Sequence, residues 1–463
     1  MKKLQVLYIA IFFSICLIPF VGMAITKQED SSENRTLAEF PQIETEEGIN
    51  VQWLSEAGEY FQEHFAYRSE LVTANALVNG KFLRTSTAEG VIQGTDGWLY
   101  YKDSLEDYLG ENLLKKRSLY NIAHTLSMIQ EYLAEKNVRF AFTVAPNKNS
   151  LYDANMPYYD RYKVSDEKNL LNLQKYLSSE NVTYVDLYNP LKNKKEILYH
   201  KKDSHWNNKG AAFASDLLMT TLNKEHDSYE EETYTVKKDF TGDLDKMLYP
   251  LATTVEKEIY YEKPTTFAFV GEVKSNFDPK ITTVNPAKTG SLVMYRDSFG
   301  NALLPFLADA YGQAYFSRGI PYQLSDVDTM AADTVMIERA ERFLPEMAEN
   351  PPTMTAPERK ITVEENRSDQ QAVKNLEIIS QGDNIKITGE IADKYLKTET
   401  EIYVRVDGNK VYEAFPNDIT KEDGTRKNNG FTMYLKLDSI TQESQLEILT
   451  GNDKYADIIY SKE

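Results

Sequence analysis

Cysteine is almost absent from this chain, which has one, Cys16, among its 463 residues. A single cysteine excludes an intrachain disulfide, and together with five histidines it leaves few ligands for a structural zinc ion or a thiolate-bound cluster. Basic residues are also outnumbered, since 52 Lys and Arg face 71 Asp and Glu and give a net charge of −19. A protein that binds nucleic acid needs an excess of Lys and Arg where it meets the phosphates. We therefore expect no metal, no cofactor and no nucleic-acid partner.

Long hydrophobic runs are limited to one at the N-terminus, where two lysines precede the segment Leu4–Ile25. At a rise of about 1.5 Å per residue, a helix of this length spans the roughly 30 Å of the hydrocarbon core of a bilayer. Residues 1–26 are therefore predicted to be a single membrane anchor. Because positive residues stay inside, residues 27–463 are expected to be extracellular. Gly22-Met23-Ala24 resembles a cleavage site, and the alternative is a cleaved signal and a secreted protein.

The rest of the chain divides by pattern into domains and linkers. Residues 27–50 are polar and acidic and are predicted to be a juxtamembrane linker. Residues 51–345 start with apolar residues at helical spacing and continue with alternating strand and helix patterns. The charged stretch 346–372, which is rich in proline, is predicted to be a second linker. Residues 373–463 carry short alternating strands between turn signals, a pattern typical of a small β-sandwich.

The alternation within residues 51–345 predicts the fold class. Apolar strands are expected at Val138–Ala145, Val182–Leu187, Ser291–Arg296, Ala314–Phe316 and Thr334–Glu338. Helices are expected at Leu119–Leu133, Lys168–Leu177, Lys209–Leu222 and Phe299–Tyr311. This rhythm indicates an α/β domain with a parallel sheet covered on both faces, and such sheets bind ligands at the carboxyl ends of their strands. Residues 226–285 lack the rhythm and are expected to be largely irregular.

Two polar segments carry the residue types of nucleophilic catalysis. Asp203-Ser204-His205-Trp206 stands directly before a predicted helix, and Arg296-Asp297-Ser298-Phe299 lies at a strand-to-helix turn. Nucleophilic catalysis needs a hydroxyl, a base that removes its proton and an acid that orients the base. Asp203 and His205 are two residues apart, so in an extended segment their side chains point to one side. Ser298 supplies the hydroxyl, and its backbone N–H lies where a helix N-terminus can stabilise an oxyanion.

Both segments also have structural or metal-binding interpretations. The residues that can serve as plain helix N-caps are Asp203, Ser204, Asn207, Asp297 and Ser298. His200 lies five residues before His205 and could join it and Asp203 in a metal site, although the spacing lacks the His-x-x-x-His pattern of helical metalloenzymes. The remaining histidines are expected to pack in the interior or lie at the surface, and they are His64, His124 and His226.

A succession of motifs carries a family resemblance. Besides the two segments above, the motifs are Glu33–Pro41, Gly94–Tyr100, Ala145–Lys148 and Phe240–Leu244. Their order resembles the SGNH-hydrolase-like group that contains the alginate O-acetyltransferases, and in particular the proteins of Gram-positive bacteria named for a DHHW motif. In this group the Asp-x-His pair precedes the serine, the reverse of ordinary SGNH esterases. Residues 203–298 show the same permuted order.

The resemblance implies a serine-dependent O-acetyltransferase or acetylesterase that acts on a cell-surface or secreted polysaccharide. By resemblance, Ser298 attacks an acetyl donor, His205 takes the proton of Ser298, and Asp203 orients His205. Asn147, which follows the strand 138–145, is the expected oxyanion donor, and a plain turn residue is the alternative. Acetyl groups used outside the cell have to come from within it, so the implied donor partner is a membrane-bound O-acyltransferase.

Two residues depart from the family pattern. Ser204 stands where the name motif has a histidine, but the catalytic pair of the alginate enzymes flanks a variable position, so this change is compatible with activity. Arg296 stands where an SGNH Gly-Asp-Ser motif has glycine, which bears on the geometry of the oxyanion site. The rival interpretation is a non-catalytic protein that binds polysaccharide or scaffolds its assembly. A catalytic role requires that Ser298 and His205 meet in the fold.

Overall fold

The computed structural model describes residues 2–23, 38–45, 48–82, 86–230, 232–440 and 444–462. Its α-helices are α1 (Lys2–Gly22), α2 (Trp53–His64), α3 (Arg68–Phe82), α4 (Leu105–Leu109), α5 (Lys116–Glu135), α6 (Lys148–Leu151), α7 (Asn169–Ser179), α8 (Tyr188–Asn193), α9 (Asn208–Thr221), α10 (Asp243–Leu248), α11 (Gly300–Ala310), α12 (Ser325–Thr329) and α13 (Leu344–Glu349). Its β-strands are β1 (Glu44–Thr45), β2 (Gly48–Ile49), β3 (Val91–Gln93), β4 (Leu99–Tyr101), β5 (Arg139–Ala145), β6 (Tyr184–Val185), β7 (Tyr234–Phe240), β8 (Glu256–Tyr261), β9 (Ala268–Phe269), β10 (Lys280–Val284), β11 (Ser291–Tyr295), β12 (Gln313–Ser317), β13 (Thr334–Ala340), β14 (Glu358–Arg359), β15 (Thr362–Asn366), β16 (Val373–Gln381), β17 (Asn384–Ile391), β18 (Glu401–Val406), β19 (Lys410–Thr420), β20 (Arg426–Lys436), β21 (Leu446–Gly451) and β22 (Tyr455–Ser461).

Seven of the described strands form one sheet in the order β6-β5-β13-β11-β12-β10-β9. The strands from β6 to β12 are parallel, whereas β10 and β9 add antiparallel partners at one edge. Every residue of β13 is buried, as a parallel strand covered on both faces requires. Helix α5 packs against α7 and β5, and α9 packs against α11. The expected α/β domain with a parallel sheet is therefore confirmed.

The segment 226–285, expected to be largely irregular, contains regular structure. Strands β7 and β8 pair as an antiparallel hairpin, α10 lies between them, and β9 and β10 extend the main sheet. The exposure of β7 explains the wrong expectation, because each of its residues except Phe240 is exposed. Strands are recognised in a sequence by the alternation of apolar and polar residues, and a strand without a buried face does not require this alternation.

The C-terminal region is rich in β-strand, as expected, but its strands join in one sheet rather than in two. The order is β15-β22-β21-β18-β19-β20-β17-β16, and β14 also pairs with β19. The first half of β19 pairs with β18, and the second half pairs with β20. Val404 of β18 and Met433 of β20 nevertheless belong to one hydrophobic core. The length of β19, eleven residues, lets it serve both halves of the sheet.

The stretch 346–372, predicted to be a linker, carries two strands of this sheet, since β14 pairs with β19 and β15 with β22. Polar contacts also join the sheet to helix α5. The buried guanidinium of Arg117 donates to the carbonyl oxygens of Lys397, Thr398, Thr400 and Asn428 at 2.6–3.2 Å. The α/β domain and the C-terminal sheet therefore share a buried polar interface, and the domain boundaries given above stay predictions.

The N-terminal expectations fall partly outside the described residues. The end of the predicted anchor, most of the juxtamembrane linker up to residue 37, and the first residues of the motif Glu33–Pro41 lie there. Helix α1 contains Pro19 and ends at Gly22, before the expected end at Ile25. Within the described chain, no helix has both the length and the apolar character needed to cross a membrane. The membrane-spanning helix expected over residues 1–26 is not supported.

Candidate active site

The candidate site lies at the carboxyl edge of the parallel sheet. Ser298 follows β11 in the short turn that leads to α11, which begins at Gly300. Asp203 and His205 lie in the turn that precedes α9, closed by a bridge between Tyr199 and Trp206. The fold thus brings two segments about 90 residues apart in sequence to one edge of the sheet.

Ser298, His205 and Asp203 form a continuous hydrogen-bonded row. His205 Nε2 lies 2.8 Å from Ser298 Oγ, and His205 Nδ1 lies 2.8 Å from Asp203 Oδ1. A carboxylate only accepts hydrogen bonds, so Nδ1 carries the proton, and Nε2 is free to accept the proton of the Ser298 hydroxyl. The ring of His205 also meets the buried ring of Phe299 edge to face, with centroids 4.8 Å apart. This row has the atom order of a nucleophile, its base and an orienting acid.

The surroundings of Asp203 favour its ionised form. Burial by itself disfavours its charge, but the hydrogen bond and charge of His205, with the backbone N–H groups of Asp243 and His205, outweigh burial and hold the pKa of Asp203 below its usual range. Burial likewise opposes the charged form of His205, and the hydrogen bond and charge of Asp203, followed by the charge of Asp243, raise its pKa above the usual value. These contacts favour the imidazolium form of His205.

A second carboxylate, Asp243, supports this row and was not predicted. Its Oδ2 lies 3.6 Å from His205 Nδ1, and burial followed by the charge of Asp203 raises the pKa of Asp243. Ser204 donates to Asp243 from its hydroxyl at 2.5 Å and from its backbone N–H at 2.8 Å. The variable residue of the Asp-Ser-His segment therefore ties the two acids together. The motif Phe240–Leu244 was the signal that could have identified Asp243.

The helix-cap interpretation of Asp203 and Ser204 is not what the structure shows. The N-cap of α9 is Asn207, whose side chain accepts a hydrogen bond from the backbone N–H of Gly210 at 2.9 Å. Asp203 and Ser204 are left for the contacts described above. Asp297, in contrast, has a structural role, because its carboxylate accepts from the backbone N–H groups of Phe299 and Ala340 at 2.9 and 2.6 Å. It fixes the turn that carries Ser298.

Arg296 lies beneath the Ser298 turn and holds it from the other side. Its guanidinium is buried and donates to the side chain of Asn301 and to the carbonyl oxygens of Asn276 and Asp278. A Cβ on Gly300 would lie 2.6 Å from the Cβ of Arg296, so the glycine allows the close approach. The residue that replaces the usual glycine of an SGNH motif thus anchors the start of α11.

Asn147, the predicted oxyanion donor, is engaged elsewhere. Its side-chain Nδ2 donates to Asp107 Oδ2 at 2.8 Å, and its backbone N–H donates to Glu341 Oε2 at 2.9 Å. Among the described residues, none of its hydrogen bonds is to Ser298. The next residue, Lys148, belongs to the motif Ala145–Lys148, and its buried ammonium donates to the carbonyl oxygens of His200, Lys201 and Asp203 at 2.5–3.1 Å. Lys148 therefore positions the turn that carries Asp203.

The metal alternative through His200 is not what the structure forms. His200 Nε2 pairs with Glu258 at 2.8 Å, and its ring stacks on Phe240 with centroids 3.7 Å apart. The ligand atoms of Asp203, His205 and Asp243 lie within 4.8 Å of one another and could hold a cation. In the arrangement described, both ring nitrogens of His205 are already in the row with Asp203 and Ser298.

The remaining histidines lie outside the site. His64 stacks on Tyr60, and His226 Nδ1 hydrogen-bonds the Lys224 carbonyl. His124 is buried at the interface with the C-terminal sheet, where it contacts Glu413.

We expect Gly242→Ala to displace the turn that carries Asp203. A Cβ at position 242 would lie 2.1 Å from the carbonyl oxygen of Lys202 and 2.8 Å from the backbone N of Asp203, so backbone has to move. Because a shift of about 1 Å at a catalytic group costs roughly 100-fold in rate, acetyl-ester turnover should fall by about that factor. Gly58→Ala is the control, since nothing lies within 4 Å of the added atom. Wild-type turnover and thermal unfolding in Gly242→Ala would contradict the close approach.

A Ser-His-Asp row at the carboxyl edge of a parallel sheet has the geometry that serine-dependent acyl transfer requires. Residues 91–276 match the family model of the SGNH hydrolase-like domain of the acetyltransferase AlgX, which confirms the resemblance expected from the motifs. The matched stretch includes Asp203 and His205 and ends before Ser298. This part of the chain is therefore similar to the SGNH hydrolase-like domain of an acetyltransferase.

Several solved structures are partly similar to the chain. A DHHW family protein from Eubacterium siraeum is 17% identical, with 55% of this chain and 94% of that chain covered and a TM-score of 0.41. PatB1 of Bacillus cereus is 19% identical, with 55% and 96% covered and a TM-score of 0.43. AlgX of Pseudomonas aeruginosa is 15% identical, with 78% and 94% covered and a TM-score of 0.37. No curated protein matches the chain.

Proposed function

We propose that the protein is an O-acetyltransferase, or an acetylesterase, that modifies a polysaccharide through an acetyl-enzyme on Ser298. The observation that carries the proposal is the 2.8 Å approach of Ser298 Oγ to His205 Nε2, with Asp203 on the opposite ring nitrogen. The family match adds the class of acyl group, because the matched model is that of an acetyltransferase domain.

The first half of the reaction transfers the acetyl group to the enzyme. Ser298 Oγ forms a bond to the acetyl carbon while its proton passes to His205 Nε2. The carbonyl electron pair moves onto the oxygen and returns as the bond to the leaving group breaks. The leaving group departs with the proton from His205, and Asp203 holds the ring in place throughout.

The second half returns the enzyme to its starting state. A sugar hydroxyl gives its proton to His205 Nε2 and attacks the acetyl carbon, and Ser298 leaves with that proton. The product is an acetylated polysaccharide when the acceptor is a sugar, and acetate when the acceptor is water. The same residues serve both outcomes, and access of the acceptor decides between them.

The supply of acetyl groups follows from this chemistry. A donor outside the cytoplasm has to be charged from inside, so we assign a membrane-bound O-acyltransferase as the partner that delivers acetyl to Ser298. We therefore propose that the protein acts outside the cytoplasm. Residues 27–463 contain no cysteine, so this part of the chain would fold without disulfides in an oxidising compartment.

Mass spectrometry of the protein after brief exposure to p-nitrophenyl acetate tests the proposal. The peptide that contains Ser298 should carry an acetyl group in the wild type and none in Ser298→Ala. Ser317→Ala is the matched control, because Ser317 ends the neighbouring strand β12 and its hydroxyl accepts from the backbone N–H of Gly319. If the Ser298 peptide stays unmodified in the wild type, the non-catalytic polysaccharide-binding or scaffold role becomes the better account.

A further inference from the structure

One cation at the candidate active site, Arg342, has no counter-ion among the residues that the structure describes. Arg342 lies in the turn after β13, the strand between β5 and β11 in the sheet. Its guanidinium carbon lies 5.4 Å from the ring centre of Tyr101, 5.6 Å from that of Phe299 and 4.7 Å from that of Phe343. Phe299 is also the ring that meets His205. Arg342 is therefore held by aromatic rings beside the Ser-His-Asp row.

Polar partners for Arg342 are missing from the described part of the chain. No hydrogen bond or ion pair joins it to a described residue, and its Nε is buried without a partner. The nearby Arg339, in contrast, pairs with Glu346. A half-buried charge without a partner is costly and is retained where a ligand or a reaction supplies the opposite charge. The face of Arg342 that is open to solvent is suited to an anionic oxygen.

The charge of Arg342 reaches the reacting groups. It lowers the pKa of His205, against Asp203 and Asp243, which raise it. Arg342 is thus one of the charged groups that act on His205, together with Asp203 and Asp243. Arg342 therefore belongs to the electrostatics of the site and not only to the packing of Phe299.

Asn147, which the sequence predicts as an oxyanion donor beside the backbone N–H of Ser298, is engaged elsewhere. The amide of Asn147 is bound to Asp107, and Arg296 replaces the usual glycine and points into the loop at Asn276 and Asp278. An oxyanion that forms at Ser298 is stabilised by donors or positive charge held in a fixed place, and one preorganised donor typically contributes about 100- to 1,000-fold in rate. Arg342 is fixed by its three aromatic neighbours.

We infer that Arg342 stabilises the oxyanion that forms when Ser298 attacks the acetyl donor. As the bond from Ser298 Oγ to the acetyl carbon forms, the carbonyl electron pair moves to the oxygen, which the guanidinium then faces. When that electron pair returns, the bond to the leaving group breaks and the leaving group takes the proton held by His205. This inference rests on the proposed acetyl-enzyme mechanism and adds a further catalytic residue to it.

Steady-state hydrolysis of p-nitrophenyl acetate by Arg342→Gln and Arg342→Lys tests the inference. We expect Arg342→Gln to lower kcat by about 100- to 1,000-fold with little change in KM, because the charge acts on the transition state. Arg342→Lys keeps the charge but not the planar fork, and should lose only about 10-fold. Arg318→Gln is the control, since Arg318 lies exposed at the end of β12 and contacts a backbone carbonyl.

The pH profile separates an electrostatic role from a structural one. Removal of the Arg342 charge should raise the pKa of His205, so the acid limb of kcat/KM should move to higher pH in Arg342→Gln and stay in place in Arg318→Gln. A kcat within about threefold of the wild type and an unmoved acid limb in Arg342→Gln would overturn the inference. If the wild type and Ser298→Ala hydrolyse the ester equally, the proposed function itself has failed, and the role of Arg342 fails with it.

Discussion

Replacing Ser298 or His205 by alanine is expected to lower the turnover of p-nitrophenyl acetate by about three to six orders of magnitude, the loss seen when a serine triad is broken. Ser298 provides the atom that bonds to the acetyl carbon, and His205 Nε2, 2.8 Å away, takes its proton. Without either, only binding and oxyanion stabilisation remain. Asp203→Ala should cost less, because Asp203 orients the ring but does not bond to the substrate.

The double variant Ser298→Ala/His205→Ala tests whether these residues act as a unit. Its turnover should equal that of either single variant, since His205 has no proton to accept without Ser298, and Ser298 is not activated without His205. Ser317→Ala and His226→Ala are matched controls outside the row and should hydrolyse the ester at the wild-type rate. If the losses of the two single variants multiply in the double variant, Ser298 and His205 contribute separately. That result would contradict the assignment of Ser298 as the nucleophile and His205 as its base.

Replacement of His124 by glutamine is expected to destabilise the fold by about 3 kcal/mol, the scale on which a buried ion pair fails when one partner is removed. His124 lies on α5 between two carboxylates, with Nδ1 2.8 Å from Glu180 and Nε2 2.7 Å from Glu413. Glu413 belongs to the C-terminal sheet and also pairs with Arg359 at 2.6 Å. Loss of the cation leaves excess negative charge at the interface between α5 and the sheet.

Stabilisation of the fold by protonated His124 is expected to depend on pH. Burial alone would lower the pKa of His124, but the hydrogen bonds and charges of Glu180 and Glu413 outweigh it and raise the pKa to about 10. Because the pKa of His124 is higher in the folded state than in the unfolded state, protonation of His124 stabilises the fold. This stabilisation is complete below the unfolded pKa of about 6.5 and is lost as the pH rises through the folded pKa of about 10. Thermal unfolding measured from pH 6 to 10 should therefore show a fall in the wild type that His124→Gln lacks.

His226→Gln makes the same chemical change outside this interface. His226 Nδ1 contacts the carbonyl oxygen of Lys224, and its Nε2 lies 3.5 Å from Asp216. The pH dependence of thermal unfolding of His226→Gln should follow that of the wild type. If His124→Gln unfolds at the wild-type temperature at pH 6, the ion pair with Glu413 does not hold the C-terminal sheet to α5.

The parts of the fold that could be predicted from the sequence are those with a strong apolar pattern. Strands β5, β11 and β13 are buried on both faces and therefore appear as continuous apolar runs, with predicted bounds close to the observed ones. Ser298 could be assigned to the end of β11 for the same reason. Strand β7 gave no such signal, because its side chains face solvent.

The candidate site was predictable where sequence neighbours act together or where a family motif names the residue, as it does for Ser298, and not where other distant segments meet. Asp203 and His205 are two residues apart, so their pairing follows from local geometry. Asp243, Lys148 and Arg342 come from three other segments, and only the fold brings them to this edge of the sheet. A lysine that donates to three backbone carbonyls has no sequence pattern of its own.

The C-terminal region shows the same limit. Its strands were recognisable from their alternation, but the interface with α5 depends on single polar residues, such as Arg117 and His124, which carry no periodic signal. Proline and charge between residues 346 and 372 suggested a linker, whereas part of that stretch pairs with β19 and β22. Pairing with a distant strand depends on tertiary context, which cannot be inferred from the local composition of residues 346–372.

The rate at which phenylmethylsulfonyl fluoride modifies Ser298, followed by mass spectrometry from pH 5 to 9, tests the central claim that His205 activates Ser298. The carboxylates of Asp203 and Asp243 raise the pKa of His205, although burial and Arg342 oppose them. The rate should therefore rise with the loss of one proton whose pKa lies above the usual histidine value of about 6.5. Modification of Ser298 should be almost absent in His205→Ala. A rate that is independent of pH, or unchanged in His205→Ala, would contradict the assignment of His205 as the base for Ser298.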